Sequence, residues 1–529
     1  MSARGKELSI VLGYVLVHAA VAAFFVLRRD PGTDAAWIGF PLDDAWIHDV
    51  YARSLAHGGL FEYVPGRPEA GFTSPLWVVA LAPIWAVTSD PRMVALATKV
   101  LGVALSAGLS VLADRLATRL SGERRVGLVA GLLVALDPSL AFAAVSGMEV
   151  SLAAAAMLGG LLAWLEDRPG LAGGLFAAAL LARPECALVT VLLAGLEARR
   201  VSKSERAARL ARLLVPSAIA GGLWSGFCLV VAGRPLPNTF YAKHHPHSLL
   251  DVVSDVPRMV GPQLLAQSWF FLGSGFVLLG LAVVRIGRDA KLDRERRLGV
   301  LLGPLVFLAG IAWAHDILFV RAFATLRYVL PHQPWTLALV AVGAREALPR
   351  VLALRTERAA RPLAIGAIAT ASLVLPLAVL PMRLDRSARD YAWNCQNIEE
   401  MQVRIGLWLH EHTRPGEWVA THDAGAIRIF SDRPVLDLAG LNEHRVSSVG
   451  AGLFAEVHPR YFVVFPTWFP HMTQSPRYRG VFSAPASHYT ICPCTSTELR
   501  VLEPLDHGSV LDSASDLESG ADQGAEGAQ

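Results

Sequence analysis

The chain has 529 residues, of which 53% are apolar and 18% are charged, and its mean hydropathy is +0.42. A soluble chain of this length would have three or four domains of about 150 residues each. Here, however, apolar runs of roughly 16 to 25 residues recur, and a helix needs about 20 residues to cross about 30 Å of hydrocarbon. This composition excludes a soluble enzyme, a secreted disulfide scaffold and a disordered chain. The net charge of +3 is small, and its basic residues lie in short clusters between apolar runs, which gives no support to nucleic-acid binding.

About eleven segments are predicted to be membrane-spanning helices. They lie near residues 8–27, 74–89, 92–113, 126–143, 148–165, 171–197, 212–232, 264–284, 298–318, 328–343 and 363–381. The first segment follows Arg4 and Lys6, as a signal peptide would. It is longer than a signal core of about 7–15 apolar residues, and no small-residue cleavage site follows it. It is therefore interpreted as a retained span.

Short basic loops predict the orientation, because Lys and Arg are retained on the cytoplasmic side of a membrane. Three such loops are placed inside: 199–212, 285–297 and 345–361. The N-terminus is then cytoplasmic, and the loops 28–73, 233–263 and 319–327 and the region after residue 381 lie outside. The segment 114–147 disagrees, since its arginines fall outside by the same count. Either a span between residues 74 and 165 is re-entrant or the rule fails there, so the side of 114–147 stays open.

The composition of the chain changes after residue 381, from long apolar runs to mixed polar sequence. Residues 1–381 are predicted to form a helical transmembrane module, residues 382–505 an α/β domain on the outer face, and residues 506–529 an acidic, disordered tail without Lys or Arg. The α/β prediction rests on one segment with apolar residues at helical spacing and three short apolar runs typical of buried strands: Ile398–Glu411, Trp418–Ala420, Val435–Leu438 and Tyr461–Phe465.

Three of the five cysteines, Cys395, Cys492 and Cys494, fall in the predicted outer domain. An oxidising compartment would allow one disulfide from Cys395 to either of the other two. The sequence does not distinguish between these pairings. Cys186 and Cys228 lie within apolar segments and are interpreted as ordinary small apolar residues.

Two adjacent carboxylates, Asp43 and Asp44, follow the first span. From Asp44 onward apolar residues repeat with helical period, at Trp46, Ile47, Val50, Tyr51 and Leu55. This pattern predicts an amphipathic helix at the bilayer surface, with the two carboxylates at its N-terminus. One carboxylate could simply cap the helix. Alternatively, the pair could form a general base or a cation site. His48 lies four residues after Asp44 and shares its face.

Further short motifs along the chain give a family resemblance. They are Asp43-Asp44-Ala-Trp-Ile, Tyr63 to Trp77, Ser146-Gly-Met-Glu149, Arg183-Pro-Glu185, Pro237 to Lys243, Arg327-Tyr328, Asp423 to Ile427 and Asp437 to Leu441. In this order they resemble the GT-C superfamily of polytopic glycosyltransferases, and in particular the polyprenyl-phosphate-arabinose-dependent arabinofuranosyltransferases. One departure concerns the first loop, where the family commonly has Glu before Gly-Tyr-Thr. This chain has Ala70 before Gly71-Phe72-Thr73, with Glu69 one place earlier.

The resemblance implies a GT-C-like α-helical membrane enzyme that passes a sugar from a polyprenyl-phosphate donor to a cell-envelope glycan or lipid. Arabinofuranose is the candidate sugar, and the reaction would occur on the outer face of the cell (inner) membrane. Asp43 and Asp44 would be the catalytic acidic pair. The residues predicted to bind substrate are His48, Glu69, Thr73, Arg183, Lys243 and Arg327. The resemblance assigns no cofactor, and whether a divalent cation takes part stays open.

A phosphate leaving group requires positive charge, which the outer loops supply. The available cations are Lys243, His244, His245, His247, Arg321 and Arg327. Each could instead extend to lipid headgroups, and the three histidines could bind zinc, although no carboxylate lies at a ligand spacing. Arg183 and Glu185 interrupt an apolar segment, where ionisable residues are costly and therefore functional by default; a kinked helix with an internal ion pair is the alternative.

Two other classes of function are alternatives to a transferase. A transporter or flippase for lipid-linked sugars commonly has an internal repeat of spans, and the two halves of this sequence do not resemble each other. A transporter would also not need the outer domain. A scaffold without catalysis is disfavoured by the intact Asp43-Asp44 pair. The sequence therefore favours the glycosyltransferase.

Overall fold

The computed structural model describes residues 2–29, 39–243, 254, 268–314, 327–353, 360–446, 452–487 and 497–505. Helices dominate these residues up to 412. In chain order they are α1 (Ala3–Val26), α2 (Asp43–Ala56), α3 (Pro75–Val87), α4 (Pro91–Ser121), α5 (Arg124–Ala135), α6 (Pro138–Val145), α7 (Val150–Leu165), α8 (Pro169–Ala182), α9 (Ala187–Arg200), α10 (Lys203–Ala232), α11 (Asn238–Lys243), α12 (Ser274–Gly287), α13 (Arg294–Ala314), α14 (Gln333–Ala353), α15 (Ala360–Ile398) and α16 (Arg404–His412). A short hairpin of β1 (Glu62–Val64) and β2 (Arg67–Pro68) follows α2.

Several of these helices have the length and apolarity of membrane spans, and the protein is a multi-pass membrane protein. Five described helices pass both criteria: Arg4–Val26, Pro91–Ser121, Lys203–Ala232, Arg294–Ala314 and Ala367–His412. A sixth candidate is the pair α5 and α6, which is bent by 57°. Pro138 and the Asp137 side chain, which caps α6 by accepting from Ser139 N and Leu140 N, begin a new helix there. The total of eleven spans stays a prediction.

The predicted span 171–197 is not one helix, and this corrects the sequence analysis. α8 ends at Ala182, Arg183 has an extended backbone (φ −151°, ψ 118°), and a single 3-10 turn over Pro184–Cys186 leads into α9. Proline disfavours helical backbone at the preceding residue and has no N–H to donate. The chain therefore breaks at Arg183 instead of carrying its side chain on a continuous or kinked helix.

Helix α2 forms where it was predicted, but its polar face is not exposed to water. Residues Ala45 to Ala52 are all buried, including the polar His48 and Asp49. The Asp49 carboxylate accepts from the Trp85 ring N–H at 3.0 Å. Trp46 packs between Phe40 and Phe430, with ring centroids 4.7 and 5.2 Å away. α2 is thus enclosed on all sides, because a second part of the protein covers the face that the pattern assigned to water.

That second part contains a five-stranded sheet. Its strands are β3 (Val419–Thr421), β4 (Val435–Asp437), β5 (Tyr461–Val464), β6 (Tyr478–Pro485) and β7 (Glu498–Pro504), arranged in the order β4-β3-β5-β7-β6. β4, β3 and β5 are parallel, whereas β7 is antiparallel to β5 and β6. The short helices α17 (Ala426–Ser431), α18 (Gly452–Val457) and α19 (Pro470–Thr473) lie between strands. The three segments expected to be strands coincide with β3, β4 and β5.

The change in composition after residue 381 is not a break in the structure. α15 runs through residue 381 to Ile398 and continues through a π-helical turn, Glu399–Val403, into α16. Arg92 at the start of α4 donates to both oxygens of Glu399. The sheet-containing region is therefore connected to the preceding helices by continuous helical backbone. The tail 506–529, Cys492, Cys494, Arg321 and the three histidines 244, 245 and 247 lie outside the described residues; Cys395 is buried.

Candidate active site

A cavity of about 320 Å³ lies between α2, the break at Arg183 and the start of the segment after residue 326. Most of its wall is apolar, with Leu188, Leu236, Phe240 and Trp313 among the lining residues. Ionisable side chains line the remainder: Asp44, His48, Glu149, Arg183, Glu185 and Arg327. Thr73 also lines it. The cavity thus combines an apolar wall with a small set of charged groups, as ligand sites commonly do.

Asp44 and Arg327 form an ion pair at this cavity, although 283 positions separate them in the chain. Arg327 Nη2 lies 2.5 Å from Asp44 Oδ2 and 3.0 Å from the hydroxyl of Tyr328. The Arg327 side chain is 8% exposed and that of Asp44 is 31% exposed. Among the described residues the Arg327 Nε atom has no hydrogen-bond partner. A buried guanidinium therefore holds one carboxylate and retains an unused N–H donor.

A second guanidinium, that of Arg183, also lies against the Tyr328 ring. The guanidinium carbons of Arg183 and Arg327 are 5.0 and 4.9 Å from the centre of that ring, within cation–π distance. Arg183 donates to Glu149 at 2.7 Å and to Glu185 at 3.4 Å. Its Nε atom, like that of Arg327, has no partner within the described ranges. Two arginines and three carboxylates thus surround one end of the cavity.

His48 lies one helical turn after Asp44 and lines the same cavity, as their spacing predicted. Burial lowers the pKa of His48, with Glu149 and Asp44 acting in the opposite direction. The imidazole is therefore neutral at physiological pH. Its Nδ1 atom is buried and makes no hydrogen bond to any described residue. A neutral imidazole in this position can accept or donate one hydrogen bond to a ligand.

Asp43 does not line the cavity, so the structure separates the two carboxylates of the predicted pair. Its oxygens accept from the backbone N–H groups of Gly425 and Ala426, each at 2.7 Å. The N-cap of α2 is Leu42, and neither carboxylate caps α2. Asp43 instead caps α17 in the sheet-containing region. Burial and the nearby Asp423 carboxylate raise the pKa of Asp43, whereas the two backbone donors lower it.

Glu69 also lies outside the cavity lining, at the junction of three segments. It accepts from its neighbour Ala70 N, from Asn238 Nδ2 and from His444 Nδ1, each at 2.9 Å. Asn238 Nδ2 donates further to the carbonyl of Leu441, a residue that lines the cavity. Glu69 therefore connects the first loop, α11 and the segment after β4. Leu441 ends one of the motifs noted in the sequence, whereas no sequence pattern pointed to His444.

Two further features concern cations. Lys243 is the last residue of α11, whose Thr239 and Phe240 line the cavity. One group of described residues has side chains of the kind that bind metals: Glu69, Glu443 and His444, whose candidate ligand atoms all lie within 4.8 Å of one another. Glu443 accepts from Arg445 and Glu69 accepts from His444. These contacts pair the cluster with protein donors, and we assign no metal to it.

Parts of this chain are similar to known proteins in sequence or in structure. A domain family of unknown function, DUF8728, matches residues 396–501. No curated protein has a matching amino-acid sequence. Among solved structures, ArnT from Cupriavidus metallidurans bound to undecaprenyl phosphate is similar over 96% of this chain and 99% of its own, with a TM-score of 0.56 and 13% identity. The chain has the GT-C fold.

Two other solved structures share this fold. The archaeal oligosaccharyltransferase AglB from Archaeoglobus fulgidus, in complex with an inhibitory peptide and a dolichol-phosphate, has a TM-score of 0.54 at 12% identity, over 89% of this chain and 71% of AglB. The arabinofuranosyltransferase AftD from Mycobacteria has a TM-score of 0.50 at 16% identity, over 95% of this chain and 40% of AftD. The GT-C fold expected from the short motifs is therefore confirmed.

Proposed function

We propose that this protein is a glycosyltransferase that moves a sugar from a polyprenyl-phosphate donor to a glycan or lipid acceptor on the outer face of the membrane. Arabinofuranose is the proposed sugar, on the motif resemblance, and the cell envelope is the proposed destination. One observation carries the proposal: a carboxylate, Asp44, is ion-paired with Arg327 at an apolar cavity that Arg183 also lines. A phosphate attached to a lipid needs this combination of cations and apolar wall, and an acceptor hydroxyl needs a base beside it.

The two arginines are the proposed binding groups for the donor phosphate. Arg327 and Arg183 both line the cavity, and each has an Nε–H without a described partner. A guanidinium can donate two parallel hydrogen bonds to phosphate oxygens. Lys243 is the next candidate, because it ends the helix whose Phe240 lines the cavity. The apolar wall formed by Leu188, Phe240 and neighbouring residues would accommodate the first part of the lipid chain.

Asp44 is the proposed general base. It would take the proton of the acceptor hydroxyl as the acceptor oxygen forms a bond to the anomeric carbon of the sugar. The bond from that carbon to the phosphate oxygen breaks, and the electron pair stays on the phosphate, whose developing charge Arg327 and Arg183 stabilise. The products are the glycosylated acceptor and polyprenyl phosphate. His48 and Thr73, on the same cavity wall, are proposed to bind sugar hydroxyls.

Asp43 and Glu69 are assigned supporting roles in this proposal. Asp43 holds the sheet-containing region against α2, and Glu69 holds the segment that carries Leu441 against the first loop and α11. Both would shape the cavity without contacting the reacting atoms. This differs from the sequence prediction, in which Asp43 was part of the catalytic pair and Glu69 bound substrate.

The test uses the full-length protein in membranes with a panel of radiolabelled polyprenyl-phosphate sugars and an envelope extract as acceptor. The expected result is transfer of one label to a glycan or lipid, and Asp44→Asn is expected to reduce the rate by about 10²- to 10⁴-fold, as for a lost general base. Asp43→Asn is the matched control, because it removes the neighbouring carboxylate. Label that crosses the bilayer without changing its covalent partner would instead favour a flippase, and no transfer of any label would contradict the proposal.

The proposed topology needs a separate experiment. We propose that the N-terminus is cytoplasmic and that residues 382–505 and the cavity lie on the outer side. A phosphatase reporter that is active only outside the cytoplasm should be active when it is fused after residue 500. Activity of a cytoplasm-specific reporter at the same position would reverse the orientation.

A further inference from the structure

The proposed base and the proposed phosphate-binding cation are bonded to each other. Arg327 Nη2 lies 2.5 Å from Asp44 Oδ2, and the same Nη2 donates to the Tyr328 hydroxyl. The Arg327 guanidinium also packs on the Tyr328 ring, which restricts its orientation. Arg327 is buried, and its Nη2 atom bonds to both Asp44 and Tyr328. A donor phosphate that uses this edge of the guanidinium therefore has to displace the Asp44 carboxylate.

The exchange changes the chemistry of Asp44. A carboxylate that is held by a guanidinium is a weaker base than the same carboxylate without it, because the opposite charge favours the ionised form. Phosphate oxygens can compete with a carboxylate for a guanidinium, since they can accept two parallel charge-assisted hydrogen bonds from it. Once a phosphate occupies Arg327, the Asp44 carboxylate loses its ion pair with that arginine and lies next to an anion. Its affinity for a proton then rises.

We propose that Arg327 is a gate for the base: it holds Asp44 until the phosphate of the lipid-linked donor displaces that carboxylate, so that Asp44 accepts a proton only when donor is present. This inference rests on the proposed function and deepens it. It assigns Arg327 a positioning role in addition to phosphate binding. It also requires that donor binds before an acceptor hydroxyl is deprotonated, which protects the site from activating water or acceptor without a sugar to transfer.

In the reaction, the donor phosphate first replaces Asp44 on Arg327. Asp44 then takes the proton from the acceptor hydroxyl, the acceptor oxygen bonds to the anomeric carbon, and the carbon–oxygen bond to phosphate breaks with its electron pair left on the phosphate. When the polyprenyl phosphate leaves, Arg327 recovers Asp44. The protonated carboxyl gives its proton to solvent as it re-forms the ion pair, so the site returns to its starting state.

The experiment measures the affinity of the purified protein in nanodiscs for undecaprenyl phosphate, the donor's leaving group without sugar. If Asp44 and phosphate compete for Arg327, removal of the competitor strengthens binding. We expect Asp44→Asn to bind about threefold to thirtyfold more tightly than wild type, which corresponds to roughly 0.7–2 kcal/mol. Asn can still accept one hydrogen bond from Arg327, so Asp44→Ala should bind at least as tightly as Asp44→Asn.

Asp43→Asn is the matched control for the loss of an acidic side chain. It removes the neighbouring carboxyl group, but Asp43 bonds to Gly425 and Ala426 and makes no ion pair with Arg327. A general effect of losing an acidic side chain from the start of α2 would strengthen phosphate binding in both variants. The gate predicts a change in the Asp44 variants and an affinity within about twofold of wild type in Asp43→Asn. Monodisperse elution and an unfolding transition establish that each variant is folded.

Each outcome of this experiment either supports or overturns the gate. Tighter binding in both Asp44 variants with an unchanged Asp43→Asn supports the gate. Unchanged or weaker binding in the Asp44 variants overturns it, and so does equal tightening in Asp43→Asn. If wild-type protein does not bind undecaprenyl phosphate at all, the proposed function fails and the gate fails with it. If wild type binds and transfers sugar but Asp44→Asn binds no more tightly, the gate alone fails.

Discussion

Asp49 on α2 gives a quantitative prediction for the stability of the element that carries Asp44. The Asp49 side chain is 0% exposed. Among the described residues, its carboxylate accepts one hydrogen bond, from the Trp85 ring N–H at 3.0 Å. Burial raises the pKa of Asp49 to about 7, although Trp85, Lys99 and Arg53 act in the opposite direction. The buried carboxyl is therefore about half protonated near neutral pH.

The sign of the effect on stability follows from linkage. Because the folded-state pKa is above the unfolded value, the folded state binds the proton more tightly, and this contribution to stability is complete below about pH 4. It is lost as the pH rises through about 7. The pKa difference is about three units, and one unit corresponds to about 1.4 kcal/mol, so roughly 4 kcal/mol would be lost across this range.

Asp49→Asn removes this titration while keeping the side-chain shape. The amide oxygen can still accept from Trp85, and the amide nitrogen occupies the place of Asp49 Oδ2, which has no described partner. We expect Asp49→Asn to match wild type or to be slightly less stable at pH 4.5, and to be more stable at pH 8. The assay is the unfolding temperature of both proteins in nanodiscs between pH 4.5 and 8.5.

The result that would refute this reasoning is a pair of parallel curves. If wild type and Asp49→Asn lose stability equally between pH 4.5 and 8, Asp49 does not titrate in this range. Asp437 is a useful reference, because burial also raises its pKa, to about 6, and it is unchanged in this variant. The part of the pH dependence that remains in Asp49→Asn should therefore have its midpoint nearer pH 6 than pH 7.

Three further predictions concern the site and its supports. Arg327→Lys keeps the charge but loses the bidentate geometry. In steady-state kinetics, the KM for donor should therefore rise about tenfold or more, while the KM for acceptor changes little. Equal changes in the two KM values would contradict this role. Gly425→Ala places a methyl group against the Asp43 backbone oxygen. We expect a lower unfolding temperature and faster proteolysis of the sheet-containing region. Wild-type values of both would show that the backbone at Asp43 and Gly425 can move apart to make room for the methyl group. Glu69→Gln should lose about 1–3 kcal/mol of stability with its contact to His444, and should lower transfer through the folded fraction; a full loss of transfer in a protein with wild-type unfolding behaviour would instead indicate that Glu69 contacts substrate.

Much of the architecture could be predicted from the sequence, because it depends on local periodicity. Apolar runs predicted the positions of most helices, and the alternation after residue 400 predicted β3, β4 and β5. The short motifs predicted the GT-C fold before any coordinates were compared. The prediction failed at 171–197, where the apolar count outweighed the helix-breaking effect of Pro184, and at α2, whose polar stripe was assigned to solvent although another part of the chain covers it.

The candidate site depends on contacts between residues that are distant in sequence. Asp44 and Arg327 were both selected as functional, since ionisable residues beside apolar segments are costly, but 283 positions separate them and no local pattern pairs them. Adjacent residues on a helix point about 100° apart, because one turn takes 3.6 residues. Asp43 and Asp44 therefore face different directions, although both lie at the same helix end. Only the packing of α17 against α2 decided that Asp43 holds the sheet-containing region while Asp44 lines the cavity.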